Sequence, residues 1–480
     1  MYPLIKKFTI LGLLTGVLAA LLLGSLLSGF SVFVVFFSAG LVWRANEPPI
    51  LPFALAFQWV FIVAGYLYTE AGGDLGDFKL IGNVNLAVFL AVLGLVCLAV
   101  GLRLGFAIAP SPRERQTETR VNITTLFWAT TITYSVSWIV EVSPMDIYFN
   151  AAQVLYSILS FREVLLCLLW LVILQRREGY RYGVIAFLIA LLPRFASRQS
   201  TFKELIFLLL VVALTEFKPW ITTNVQRAWN RRVAAALGIA AVMLVIAGVI
   251  WEGAIKPVWR TIEFEGTPLQ TMDAFAQVTA ATTAEMDEEK GLQAFISRVS
   301  SITQFALVLD RVPDVVPFEN GMLIKRAIVH ILVPRLFYPA KEYLGSDSLL
   351  AEEYAGLTIG EDTSVGIGYM AEFYVDWGIG GMLISLVALG VFFGLAYRLI
   401  FFFSPNHLIA NALVIVPFIG NFITFEATLP KMLGGFIMNT VILLLLSRAI
   451  PRMLGTKPRP LPSSTLPLSD LESRSRPTLP

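Results

Sequence analysis

FTILGLLTGVLAALLLGSLLSGFSVFVVFFSAGLVW, residues 8–43, contains no charged side chain between Lys7 and Arg44. A helix needs about 20 apolar residues to cross a hydrocarbon core of roughly 30 Å. The stretch is long enough for two spans, and the glycines between Gly24 and Gly29 mark where they meet. Lys6-Lys7 ahead of an apolar run imitates a signal peptide, but the run far exceeds a normal h-region. The expectation is an uncleaved helical hairpin.

The rest of the chain has the same character. Of its 480 residues, 56% are hydrophobic and only 15% are charged, and the mean hydropathy is +0.73. Soluble domains carry about 25% charged residues. A water-soluble globule, a disordered chain and a nucleic-acid binder are excluded on this ground. Cys97 and Cys167 both sit in apolar runs, and His330 and His407 are the two histidines. That inventory argues against a disulfide framework, a zinc site or a haem. No metal and no cofactor is expected.

Twelve apolar segments follow: 8–26, 28–43, 50–68, 84–106, 122–140, 156–174, 183–193, 204–215, 233–251, 379–400, 408–425 and 432–450. An even number puts both termini on one side. With the N-terminus inside, most of the 36 basic residues fall in inside segments, among them Arg44, Arg103, Arg176, Arg181 and Arg398. The short outside loops receive Lys79, Arg162, Arg194, Arg198, Lys203 and Lys431. The positive-inside rule therefore places both termini in the cytoplasm. Residues 1–251 form nine spans with an Arg-containing break at 193–203. Residues 252–377 form an outside loop, residues 378–450 form three more spans, and 451–480 is a Pro/Ser/Arg-rich tail expected to be disordered. The loop carries 19 acidic and 9 basic residues. Leu292, Phe295, Ile296, Val299, Ile302, Ala306 and Leu309 follow helical spacing, and Thr267-Pro268 suits a helix start. The fold class expected is an all-α polytopic membrane protein of about 12 transmembrane helices with a large helical outside loop.

Three places could carry chemistry. The first is Pro193-Arg194-Phe-Ala-Ser-Arg198-Gln-Ser-Thr-Phe-Lys203, between two apolar arms of only ten residues. At 1.5 Å per residue each arm reaches about 15 Å, so the polar turn sits below the membrane surface. Arg194, Arg198 and Lys203 there suit a phosphate or carboxylate. Headgroup snorkelling, with Glu204 pairing one of them, is the plainer alternative for Arg194 and Lys203. The second is the acid-free window Lys325 to Lys341, with Arg326 and His330 on one helix face and Arg335 and Tyr338 between Pro334 and Pro339. It offers either an anion site or an amphipathic segment on anionic headgroups. The third is Gly366 to Gly381, where Met370, Phe373 and Trp377 form an apolar stripe opposite Glu372 and Asp376. The two acids could serve as base or sugar ligand, and Tyr374 could stack on a sugar; interfacial packing is the alternative.

The remaining spans hold essentially no mid-helix acid or base, which argues against an ion-coupled transporter. No P-loop is present, and no cytoplasmic acidic pair suits a metal–nucleotide sugar.

Taken together, Arg194-Phe-Ala-Ser-Arg198-Gln-Ser-Thr, Pro334-Arg335-Leu-Phe-Tyr338-Pro339-Ala-Lys341 and Gly368-Tyr-Met-Ala-Glu372-Phe-Tyr374-Val-Asp-Trp-Gly378-Ile-Gly380-Gly resemble the Wzy-type O-antigen or oligosaccharide repeat-unit polymerases, which are related to O-antigen ligases. The resemblance implies a GT-C-like fold and a metal-independent glycosyltransferase of the bacterial inner membrane, with its active site facing the periplasm. The substrate would be an undecaprenyl-pyrophosphate-linked oligosaccharide, polymerised into O-antigen, capsule or exopolysaccharide. Besides membrane lipid, a chain-length regulator is a conceivable partner, and nucleic acid is not. Arg194, Arg198, Lys203, Arg326, Arg335, Lys341, Tyr338 and Tyr374 would bind pyrophosphate or substrate. His330 and Glu372 would be candidates for the base. A ligase, or a flippase of anionic lipid-linked glycan, are the alternatives.

Overall fold

The structure is a computed structural model. It describes residues 2–44, 47–76, 79–110, 121–142, 152–196, 202–217, 245, 246, 248–256, 277, 280, 288–332, 347–359 and 365–453. Among these residues the regular structure is helical throughout. The helices are α1 (Tyr2–Leu23), α2 (Leu26–Val42), α3 (Ile50–Glu70), α4 (Val84–Ile108), α5 (Ile123–Val142), α6 (Ala152–Leu159), α7 (Phe161–Arg176), α8 (Tyr180–Ala196) and α9 (Phe202–Phe217). After a π-helical turn at Trp251–Ile255 come α10 (Glu288–Arg298), α11 (Ile302–Arg311), α12 (Met322–Leu332), α13 (Asp347–Ala355), α14 (Tyr369–Phe403), α15 (His407–Asn421), α16 (Leu429–Ser447) and α17 (Ile450–Met453).

The hairpin expected at the N-terminus is present. Gly24 takes φ +65°, which a side chain rarely tolerates, and Ser25 then caps α2 by accepting from the Ser28 N–H at 3.3 Å. Eleven of the twelve apolar segments coincide with described helices, and 233–251 lies largely outside the described residues. Among the described residues, seven helical stretches are long and apolar enough to cross a membrane, or up to eight if a bent pair is counted as one span. Leu26–Val42, Tyr180–Leu191 and His407–Asn421 are shorter apolar helices.

Two sets of polar contacts tie the helices together. In one, Glu47 pairs with Arg44 at 3.5 Å and with Arg398 at 3.2 Å, and Arg103 donates to the Leu41 carbonyl at 3.1 Å. In the other, Ser25 meets Tyr66 at 3.0 Å, the Ser301 N–H donates to the Phe61 carbonyl at 2.9 Å, and the Ser301 hydroxyl donates to Glu426 at 3.1 Å. The break between α10 and α11 therefore rests on the middle of α3 and on the turn between α15 and α16.

Helices α4 and α14 form the most extensive pair. Gly101 and Gly105 on α4 lie against Gly390 and Gly394 on α14, so closely that the paired backbones leave no room for a Cβ. Two small-xxx-small motifs thus face each other, the usual device for close packing where lipid removes the hydrophobic driving force. Beside them Phe393, Phe418, Phe422 and Phe436 join α14, α15 and α16, with centroids 4.3 Å apart for Phe393–Phe422 and 4.8 Å for Phe393–Phe436.

Two expectations are corrected here, and one boundary meets a bend. The periodic run from Leu292 to Leu309 is two helices bent by 58° rather than one. Ser300-Ser301 interrupts it because the Ser301 amide and hydroxyl bond across to Phe61 and Glu426. The boundary drawn between Trp377 and Gly378 coincides with a bend in α14, where two helical stretches meet at a non-helical Gly378 (φ +65°). The tail expected to begin at Pro451 starts with the short helix Ile450–Met453, whose proline sits in its first turn; residues 454–480 lie outside the described residues, as does the helix start expected at Thr267-Pro268.

Candidate functional site

Helices α5, α7, α8 and α9 enclose a group of charges in an apolar surround. Arg194, in the last turn of α8, is 6% exposed. It pairs with Glu163 of α7, and Glu204 of α9 stands 3.8 Å from its second amino group. Arg162, also buried, sets its guanidinium 5.3 Å from the centroid of the Tyr134 ring. The Tyr134 hydroxyl is buried and meets no hydrogen-bond partner among the described residues. Leu165, Leu166, Leu205 and Leu208 are fully buried around the group.

This arrangement overturns the statement that the other spans are free of internal charge. Arg162-Glu163 lies within the apolar stretch Gln153–Arg176, not in a short loop. The helix break after Leu159 places the pair at the start of α7, where Arg194 can reach it. The signal was an Arg-Glu dipeptide inside an otherwise apolar run. Like Arg194, it is tolerated there because two cations and two carboxylates face one another. An unpaired ion would cost several kcal/mol at such depth.

Arg194 was expected to bind an anion or snorkel to headgroups; it is buried and held by two carboxylates, Glu204 being one of them. Lys203 reaches Glu252 at 3.4 Å, and Glu252 also pairs with Lys256. Arg198, Arg335, Tyr338 and Lys341 lie outside the described residues.

The third sequence feature has a structural task. Glu372 is 2% exposed and its carboxylate accepts the Leu429 N–H at 3.1 Å, at the start of α16. One turn later Asp376 accepts from the N–H groups of Leu323 and Ile324 at 3.0 and 2.9 Å, at the start of α12. Two carboxylates on one turn of α14 therefore hold the N-termini of two neighbouring helices, where orphan N–H groups and the helix dipole favour negative charge. Tyr374, expected to stack on a sugar, is buried against Phe305 and Phe318 and donates its hydroxyl to the Val312 carbonyl at 2.9 Å. Asp376→Ala is expected to loosen α12 by about 1–2 kcal/mol, the usual cost of a lost cap. Hydrogen exchange over residues 322–332 should quicken while α15 is unchanged.

Arg326 and His330 share α12 as expected. Arg326 is exposed and His330 is half-buried. Behind α12, the Tyr354 hydroxyl donates to Glu319 at 3.0 Å; burial first, and then this bond, push its phenol well above the usual tyrosine range. Among the described residues no group of three His, Cys, Asp or Glu side chains could hold a metal ion.

The apolar helices, the opposed glycine motifs and the buried ion group define an all-α membrane-embedded protein with a charged centre among its helices. A family profile described as a domain of unknown function, DUF8712, matches residues 75–400. The chain belongs to that family, and the match includes the ion group, helices α10–α13 and most of α14. No curated protein and no solved structure matches the chain.

Proposed function

We infer that the protein is a metal-independent, GT-C-type glycosyltransferase, polymerising polyprenyl-pyrophosphate-linked oligosaccharide repeat units at the outer face of a bacterial inner membrane. In this reading about twelve helices cross the membrane and both termini are cytoplasmic. The observation that supports it most is the buried guanidinium of Arg194 at the end of α8, with Arg162 beside it and the basic stretch to Lys203 following. The acceptor hydroxyl attacks the anomeric carbon of the donor sugar. The bond from that carbon to the pyrophosphate oxygen breaks, and the lipid pyrophosphate departs with the electron pair. Fixed cations stabilise that charge without reorganising. Glu204 is the more distant partner of Arg194 and the one an incoming phosphate would displace. The hydroxyl proton goes to a base, for which His330 is the candidate; the Glu372 carboxylate is already engaged by the Leu429 N–H. Arg326 and the basic residues Arg335 and Lys341 are assigned to the anionic substrate in the same reading. A ligase would use the same groups with a different acceptor.

A transporter of anionic lipid-linked glycan is the second reading. What favours it is the pair Glu163 and Glu204 facing Arg162 and Arg194, since buried acids and bases within membrane helices commonly relay ions.

The test is a gel of lipid-linked and surface glycan from a deletion strain carrying wild type, Arg198→Ala, Arg335→Ala or Arg162→Ala. The polymerase reading expects single repeat units to accumulate and long chains to vanish, at normal protein level. Long chains that persist on the lipid carrier would point to the ligase, and unchanged glycan would remove both enzyme readings.

A further inference from the structure

We propose that the groove between α12, α14 and α16 is a binding site for an anionic glycerophospholipid, one acyl chain lying in the groove and the phosphate meeting Lys325. The groove has a volume of about 400 Å³. Ile328 and Leu332 line it from α12, Ala388 and Phe392 from α14, and Leu433 and Ile437 from α16. Apart from Ser385, its lining is hydrocarbon and aromatic.

On α14 the lining comprises Phe373 and Trp377 above the bend at Gly378, and Ser385, Ala388, Leu389 and Phe392 below it. Its upper end has the character of a membrane interface. Trp377 is half-exposed there and touches the turn at Gly321 that leads into α12, and tryptophan favours the headgroup level. Lys325 stands one turn beyond Gly321, exposed, at the edge of the face that Ile328 and Leu332 present to the groove. Arg326 lies on the opposite face of α12, toward Tyr354. The flank is apolar and open: Val329 and Leu332 are 55% and 73% exposed. A helix with exposed aliphatic residues and cations at one end lies in the membrane interface.

The carboxylates of Glu372 and Asp376 explain why the groove is preformed. They fasten α16 and α12 to the same turn of α14, so its three walls are fixed at the top. Because α12 also carries His330, a lipid seated here would order the helix from which the candidate base projects. The lipid site itself does not depend on the proposed glycosyltransferase activity.

The experiment uses the full chain in detergent, with native mass spectrometry after addition of phosphatidylglycerol, phosphatidylcholine or undecaprenyl phosphate. Phosphatidylglycerol is expected to be retained about fivefold better than phosphatidylcholine, since one basic residue near a membrane surface favours anionic lipid by about that factor. Lys325→Glu should remove that preference while Arg326→Glu leaves it in place, and Ala388→Trp should remove retention altogether. All three changes fall on exposed positions. A photoactivatable phosphatidylglycerol should label residues 322–332 and 385–392 of the wild type, a check that needs no variant. Equal retention of the two phospholipids, labelling elsewhere, or displacement of phosphatidylglycerol by equimolar undecaprenyl phosphate would each overturn the proposal.

Discussion

Arg194→Ala is expected to destabilise the purified protein by about 3–5 kcal/mol, the usual cost of removing one partner from a buried ion pair. Glu163 would then face Glu204 across an apolar space, without the guanidinium that both now share. Arg194→Lys should recover only part of the loss. An ammonium supplies the charge but not the planar fork that serves two carboxylates at once. The triple change Arg194→Met, Glu163→Leu and Glu204→Leu should recover most of it, because a packed apolar replacement for a buried ion group is often neutral or better. Thermal unfolding in one detergent compares the four proteins. If alanine at 194 melts with the wild type, the side chain is not held as described.

The second large effect is expected at the opposed glycines. A Cβ at Gly101 would lie 2.1 Å from the Val387 carbonyl oxygen, and one at Gly390 would lie 2.3 Å from that of Leu98. The obstacle in each case is backbone, which has no rotamer to change, so α4 and α14 must part along their contact. Overpacking a well-filled site costs about 1–3 kcal/mol and occasionally more, and Gly101→Val or Gly390→Val should reach the top of that range. Gly420→Ala is the control. Nothing lies within 4 Å of the added carbon there, and alanine is the better helix former. Yield and melting temperature should fall for the two valine variants and hold or rise for the control.

How far the sequence foretold these features depends on the range of the interaction behind each. The N-terminal hairpin was legible because its signals are local: an uncharged run, then Gly24 and Ser25 at the turn. The apolar helices were legible for the same reason. The split between α10 and α11 was not, since Ser301 bonds to Phe61 and Glu426, both far away in the chain. Arg162-Glu163 was misplaced because a charge rule counts residues along the chain. It does not see that α7 begins where α8 ends, so that Glu163 meets Arg194. Glu372 and Asp376 were found by their shared face, but their partners are backbone N–H groups at Leu429, Leu323 and Ile324, which no side-chain pattern announces. The glycines at 101, 105, 390 and 394 were not singled out, because a Gly-xxx-Gly spacing becomes informative only once its partner helix is known. Their pairing is a tertiary fact.

The most direct measurement of the central claim is reconstitution of the purified protein in liposomes with a defined polyprenyl-pyrophosphate-linked repeat unit. Glycan length and release of lipid pyrophosphate are followed without nucleotide sugar or divalent metal. The account predicts chains of several repeats, one lipid pyrophosphate released per bond formed, and loss of both with Arg198→Ala. A repeat unit that crosses the bilayer without being lengthened would contradict it.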